Sequence, residues 1–411
     1  MPQQELIPHL FRTEYRKIVS VLCRRFGFDQ IEIAEDIAGD TFLTAAETWG
    51  LKGIPPNPAA WLYKVAKNKA KNYLQRNSTY ENKIIPELQK DMPGSYNQEI
   101  DLSPQNINDS QLQMMFAVCH PSISAEAQIG LSLRILCGFG IEEIADAFLT
   151  NKETINKRLF RAKEKLRLEK VKIELPGPDE IDNRLEIVLR TIYLLFSEGY
   201  YSTSQNKTLR KDLCLDAVRL CYILVENKYT NKPEVNALLS LMCFHASRFD
   251  ARFNESGEMI LYEDQDTSLW DSDLISKGVY FLNCSSGGQR ITKYHLEAAI
   301  AFWHTQKKDT KEKWENILQL YNHLLQLEYS PAAALNRTYA LSKANGKEEA
   351  IIEAEKLKLP ENHFYFALLG ELYTDIDNEK AEQNFQKAVS LAKTATEKQA
   401  IQKKIDKLNL K

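Results

Sequence analysis

The sequence predicts an all-α protein, and three observations carry that prediction. Gly (16) and Pro (14) are sparse in 411 residues, which favours long helices over a turn-rich β fold. Apolar residues recur at i, i+3, i+4 and i+7 along most of the chain, the period of one helix face. Residues that cap helices precede several of these runs, as Asn57-Pro58 and Thr150-Asn-Lys-Glu153 do. The exception is the stretch 253–272, where the period fails and Met259-Ile-Leu-Tyr262 reads as a short strand after a turn at Phe253–Glu258.

The bulk numbers set limits. At roughly 150 residues per domain the length suggests about three domains. Hydrophobic residues make up 44% and charged residues 27%, enough apolar material for real cores. The first residues carry no basic stretch followed by an apolar one, and no apolar run of about 18 residues occurs. A cytoplasmic protein with no membrane contact is expected. The seven cysteines are scattered without a CxxC pair, as free thiols in a reducing compartment would be. Cys119-His120 has no second ligand cluster at zinc spacing, so neither a metal nor another cofactor is expected. The net charge is −3, and residues 1–170 hold 22 Lys+Arg against 21 Asp+Glu. Any nucleic-acid contact must therefore rest on local basicity.

Residues 1–77 read as one helical domain. Asp29-Gln-Ile-Glu32 offers an N-cap with Glu at the third helical position. The helix beyond it places Ala34, Ala38, Phe42, Ala45 and Trp49 on a core face. Glu32, Asp36 and Asp40 form a second row, with Glu35 beside it, and no Lys or Arg occurs between Arg25 and Lys52. Like charges at i, i+4 cost a few tenths of a kcal/mol per pair. The row reads either as an acidic face tolerated near a helix start or as a docking face for a basic partner. Lys52 and a proline-stiffened loop lead to Asn57 as cap and Pro58 as first helical residue. The next helix points Leu62, Val65, Ala66 and Tyr73 inward and aligns Lys64, Lys67, Asn68 and Lys71 in one stripe. Lys and Asn flanked by Trp61 and Tyr63 suit phosphates and an unstacked base, and a solvated lysine face is the plainer reading.

Residues 78–109 are polar and broken, the pattern of a linker. A second helical domain spans 110–172. In it Ile141–Leu149 and the helix opened by the Thr150–Glu153 capping box fit a helix-turn-helix with a small Ala145 in its first helix. Ile155, Leu159, Ala162 and Leu166 point inward. Lys152, Glu153, Thr154, Asn156, Lys157, Arg158 and Arg161 lie where such a helix meets base edges. A plain αα-hairpin is the alternative. Leu175-Pro-Gly-Pro-Asp179 breaks the chain before a helical extension, 184–290. Residues 291–411 hint at 34-residue repeats: Leu335 with Leu369, Tyr339 with Tyr373, and Gly370, Ala381, Phe385 and Ala388 at tetratricopeptide spacing.

Together these segments resemble the sigma-70 family, in its extracytoplasmic-function type. Ala34–Trp49 resembles the helix that binds the polymerase clamp, Trp61–Leu74 the −10 element helix, and Ile141–Leu166 the −35 helix-turn-helix. Cys119-His-Pro, Leu195–Tyr200, Leu261–Asp271 and Ala334–Arg337 are similar to members with a long C-terminal extension that includes tetratricopeptide-like repeats. The resemblance implies core RNA polymerase and promoter DNA as partners and no catalytic chemistry. It makes Glu32, Glu35, Asp36 and Asp40 polymerase-binding. Lys52, Asn57, Trp61, Tyr63, Lys64, Lys67, Asn68 and Lys71 become −10 readers, and Lys152, Glu153, Thr154, Asn156, Lys157, Arg158 and Arg161 become −35 readers. The near-neutral charge of the first 170 residues departs from the pattern and argues for weak DNA binding by the chain alone.

His245, Arg248 and Arg252, with Glu263, Asp264, Asp266 and Asp271, read as an ion-pair network within the extension. A protein or small-molecule ligand there stays open. A tetratricopeptide adaptor and a stand-alone helix-turn-helix regulator are the competing readings. An adaptor does not need an acidic helix followed by a basic one, and a stand-alone regulator would want a more basic body and a dimer interface, neither of which is evident.

Overall fold

The computed structural model describes residues 3–84, 100–148, 150–201, 207–252, 260, 262–393 and 395–409. It contains two compact units, Met1–Thr230 and Asn231–Lys411. Among the described residues there are eighteen α-helices and no strand, in keeping with the all-α prediction. None of these helices is long and apolar enough to cross a membrane.

The first unit is built around α1 (Gln3–Phe26), whose Tyr15, Ile18, Val19, Leu22 and Cys23 are buried. α2 (Ile31–Lys52), α3 (Pro58–Ile84) and α4 (Pro104–Val118) pack against it. α2 does not start from a cap at Asp29. Gly27, at φ +82°, turns the chain into a 3-10 turn, Phe28–Gln30. Burying Phe28 leaves Asp29 exposed inside that turn, and Gln30 precedes the helix without a side-chain cap. The expected core face of α2 is buried from Ala34 to Trp49. Each large side chain there contributes about 1.5–3 kcal/mol. α4 begins inside the segment read as linker, capped by Ser103 with Pro104 in its first turn. Residues 85–99 of that segment lie outside the described residues.

α5 (Ala125–Leu131) runs into a π-helical turn, Ser132–Leu136, followed by α6 (Ile141–Ala147) and α7 (Lys152–Leu168). The cap of α7 is Asn151, whose side chain accepts from Thr154 N at 2.8 Å, and not Thr150. Thr150 N is already committed to Ala145 O at 2.9 Å, closing α6. α8 (Pro178–Tyr201) and α9 (Lys207–Glu226) complete the unit. The stretch 184–290 is thus divided: α8 and α9 belong to the first unit. Charge explains the placement, because Asp212 and Asp216 of α9 pair with Arg12 and Arg16 of α1.

In the second unit α10 (Pro233–Ala246) is buried over nearly its whole surface by α11 (Ser272–Ser285) and α12 (Lys293–His304). α13 (Lys311–Leu327), α14 (Pro331–Asn345), α15 (Lys347–Leu357), α16 (His363–Tyr373), α17 (Asn378–Leu391) and α18 (Ala395–Asn409) then pack each against the next. A Cβ on Gly370 would stand 2.6 Å from the Phe385 ring, so only glycine lets α16 and α17 approach this closely. Ala381, Phe385 and Ala388 are all buried there.

Among the described residues, the cluster expected to be an ion-pair network also seats cations over aromatic rings. Arg248 lies over Tyr262 (5.4 Å) and Trp270 (5.9 Å). Buried Lys313 donates to Gln306 O at 2.7 Å and to the Tyr262 hydroxyl at 3.2 Å. Glu263 accepts from the Tyr339 hydroxyl at 2.9 Å. Tyr262–Asp264 is a 3-10 turn. Met259 and Leu261 of the expected strand, and the expected turn at 253–258, lie outside the described residues.

Candidate functional site

The acidic helix divides its carboxylates between two tasks. Glu32, Asp36 and Asp40 are exposed, and Asp40 stands 3.9 Å from Lys69. Glu35 is turned inward: it accepts from Lys163 Nζ at 2.6 Å and from Arg134 Nε at 3.3 Å. Glu32 pairs with Arg167 and stands 3.9 Å from Lys163. Three of the four expected polymerase-binding residues, Glu32, Glu35 and Asp40, therefore meet cations of the same chain.

The loop before α3 is held by Gly53 at φ +82° and by Asn57, whose side chain accepts from Ala60 N at 3.0 Å. Lys52, Asn57, Lys64, Asn68 and Lys71 are exposed, Lys67 is half-buried, and the four positions 64, 67, 68 and 71 share one stripe. The two aromatics are partly structural. Trp61 packs edge-on against Trp49 at 5.3 Å. The Tyr63 hydroxyl donates to buried Glu14, and burial with that bond pushes its pKa up.

On α7 the predicted inward residues Ile155, Leu159, Ala162 and Leu166 are buried. Lys152, Glu153, Thr154, Asn156, Lys157 and Arg161 are exposed, and half-buried Arg158 covers the Phe148 ring at 5.3 Å. Lys152 also reaches Glu142 at 3.3 Å. Thr154, Lys157, Arg158 and Arg161 line an open depression of about 430 Å³, closed on its other side by Ile123, Ser124 and Ala127 of the α5 start. Sequence reasoning missed that second wall, because nothing local ties residue 123 to residue 161. It also missed Arg134, Lys163 and Arg167 as partners of α2, and Arg12, Arg16 and Arg219 as a charged knot with Asp212, Asp216 and Glu143.

In that knot Arg12 donates to Glu143 Oε1 at 2.5 Å and to Asp212. Arg219 donates to Asp216 at 3.2 Å, to Gln111 at 2.9 Å and to Leu136 O at 2.7 Å. Burial raises the Asp212 pKa against the pull of Arg12, and lowers that of Arg219. Among the described residues no group of three His, Cys, Asp or Glu is placed to hold a metal ion. Cys119 is buried, its thiol pushed up to about 11 by burial.

Residues 10–79, which include the acidic and basic helices, match sigma-70 region 2. Residues 184–286 match a family of unknown function, DUF6596. An uncharacterized protein of Rhizobium meliloti is 32% identical over 387 residues, covering 93% of this chain and 91% of that protein. The ECF RNA polymerase sigma-E factor of Haemophilus influenzae is 29% identical over 108 residues, 25% of this chain and 57% of that protein. No solved structure matches. The chain belongs to the same family as the Rhizobium protein, and its residues 10–79 carry a sigma-70 region 2 domain.

Proposed function

We propose that the chain is an RNA polymerase sigma factor of the extracytoplasmic-function type, with an extension that regulates it in cis. The observation that carries this reading is the region 2 match over two helices of opposite charge, followed in the same unit by an exposed cationic helix. On this reading Asp36 and Asp40, with Glu32 and Glu35, meet a basic surface of core polymerase. Lys64, Asn68 and Lys71, with the loop from Lys52 to Trp61, read the −10 element and assist strand opening. Lys157, Arg158 and Arg161, with Lys152 to Asn156, enter the major groove at the −35 element from the 430 Å³ depression. Stacking on aromatics and base-edge contacts suit these residue types.

The cis role of the extension is supported by α9, whose carboxylates hold α1. Its later helices read as tetratricopeptide-like pairs, an assignment supported by the close Gly370–Phe385 approach. Such pairs stack into surfaces that hold peptides. The test is reconstituted transcription with core polymerase on a library of upstream DNA fragments. Promoter-specific transcripts are expected only when the chain is added. An unchanged transcript set would overturn the reading.

A further inference from the structure

We propose that the second unit holds a binding site for a phosphoryl group, free or carried on a small molecule, formed by Arg248, Trp270 and Lys307 in the field of Lys313. The site lies wholly within that unit and does not depend on the sigma reading.

Two independent observations carry it. The first is buried positive charge without a counter-charge. Arg248 and Lys313 are buried, and among the described residues neither forms an ion pair. The carboxylates of the cluster are used elsewhere. Glu263 accepts from the Tyr339 hydroxyl and Asp309 from Trp314 Nε1, and both face Lys343, at 3.9 and 3.6 Å. Asp266 accepts from Ser268 N at 2.8 Å. What the two buried cations have instead is rings. Both lie over Tyr262, Arg248 at 5.4 Å and Lys313 at 5.3 Å, and Arg248 also lies over Trp270. A ring face attracts a cation but carries no net charge, so two desolvated charges stay uncompensated. Exposed Lys307 adds a third cation over Trp270, at 5.8 Å. The neighbours register this field: burial, then Arg248 and Lys313, hold the His304 pKa down at about 3.

The second observation is a set of unused hydrogen-bonding atoms in the same place. Arg248 Nε and Trp270 Nε1 have no acceptor, and Gln265 Oε1 has no donor, although all three side chains are at least nine-tenths buried. Buried polar atoms normally find a partner. Arg248 follows α10, while Gln265 and Trp270 flank the 3-10 turn Thr267–Leu269, and Lys307 is tied to Gln265 O. A water would satisfy the hydrogen bonds and leave the charges. A carboxylate would bring one negative charge. A phosphoryl group brings about −1.5 to −2 at neutral pH and several acceptor oxygens, and guanidinium binds it well. Its protonated fraction offers an O–H to Gln265 Oε1. Lys307 marks the solvent side, where the ion would enter.

Equilibrium dialysis of the full chain against radiolabelled inorganic phosphate, at constant chloride ionic strength, tests this. One saturable equivalent per chain is expected. Arg248→Met should weaken it at least tenfold, and so should Trp270→Phe, which keeps an aromatic ring and removes the N–H, because each deletes a hydrogen bond to a charged group. In phosphate-free buffer Arg248→Met should unfold no more easily in urea than the unmodified chain, since an uncompensated buried charge is gone. Added phosphate should then stabilise the unmodified chain and not the variant. Competition separates the sources: glycerol phosphate displacing the label more effectively than unlabelled phosphate points to an organic phosphomonoester, and the reverse to the free ion. Lack of saturable binding by the unmodified chain would overturn the proposal. Label retained by both variants would place the ion elsewhere and overturn it too. Marked loss of stability in Arg248→Met without phosphate would make the guanidinium a structural group and have the same effect.

Discussion

Replacing Asp216 by Asn removes one charge from the most enclosed part of the first unit. Arg16 and Asp216 are 7% and 6% exposed, and Arg219 donates to the same carboxylate at 3.2 Å. The substitution keeps the shape and leaves two guanidinium groups facing a neutral amide. Removing one partner of a buried ion pair costs about 3–5 kcal/mol, because the other charge stays desolvated. For a unit of some 230 residues, each kcal/mol shifts the midpoint by about 2–4 °C. A fall of roughly 10 °C is therefore expected for the first unit in thermal unfolding followed by circular dichroism. Arg16→Met should do less, about 1–2 kcal/mol, because Asp216 keeps Arg219 as its partner. The order of the two variants is the sharp part of the test. If Arg16→Met proved the more damaging, or if Asp216→Asn left the midpoint within about 2 °C, the idea that α9 is a charged clasp on α1 would be refuted.

Three further outcomes follow. Asp36→Lys with Asp40→Lys should weaken co-purification with core polymerase at moderate salt while leaving helix content unchanged, since both side chains are exposed; unchanged pull-down would reject these carboxylates as the dock. Lys157→Ala and Arg161→Ala should each cost about 1–3 kcal/mol at an upstream element if they make bidentate base contacts, whereas Lys64→Ala with Lys71→Ala should instead reduce permanganate reactivity at the downstream one. His304 is held neutral in the second unit, its pKa lowered to about 3 by burial and by Arg248 and Lys313. Its folded pKa lies below its ordinary 6.5, so the unfolded chain takes up the proton first. The stability this group contributes is complete above pH 6.5 and should fall by about 2 kcal/mol at pH 5; buried His245 of the same unit is shifted in the same direction, so His304→Phe should reduce the slope in urea unfolding without abolishing it.

Much of the candidate site was legible because it is local. The buried rows of α2 and α7 follow from a 3.6-residue period, and Asn57-Pro58 opens α3 as its chemistry predicts. The misreadings have local causes too. Asp29 and Thr150 are good cap residues, but Gly27 and the closing bond from Thr150 N to Ala145 O set the real helix starts elsewhere. What the sequence could not reveal is long-range. Glu35 and Lys163 are 128 residues apart, Arg16 and Asp216 are 200 apart, and no spacing rule links them. The linker-like polarity near residue 104 hid a helix, because Ser103-Pro104 is both a turn signal and a helix start.

The charge balance of the first 170 residues, 22 basic against 21 acidic, looked unsuited to DNA. The pairing within the fold accounts for it. Arg12, Arg16, Arg134, Lys163 and Arg167 are committed to carboxylates of the same unit, and the exposed cations among the described residues include two short rows, Lys64–Lys71 and Lys157–Arg161. On the proposed reading, a few phosphate contacts from each row give weak and salt-sensitive binding. The half-buried pairs respond less to salt than the exposed rows do. Raising salt should therefore strip DNA from the chain long before it breaks the pairs between α7 and α2.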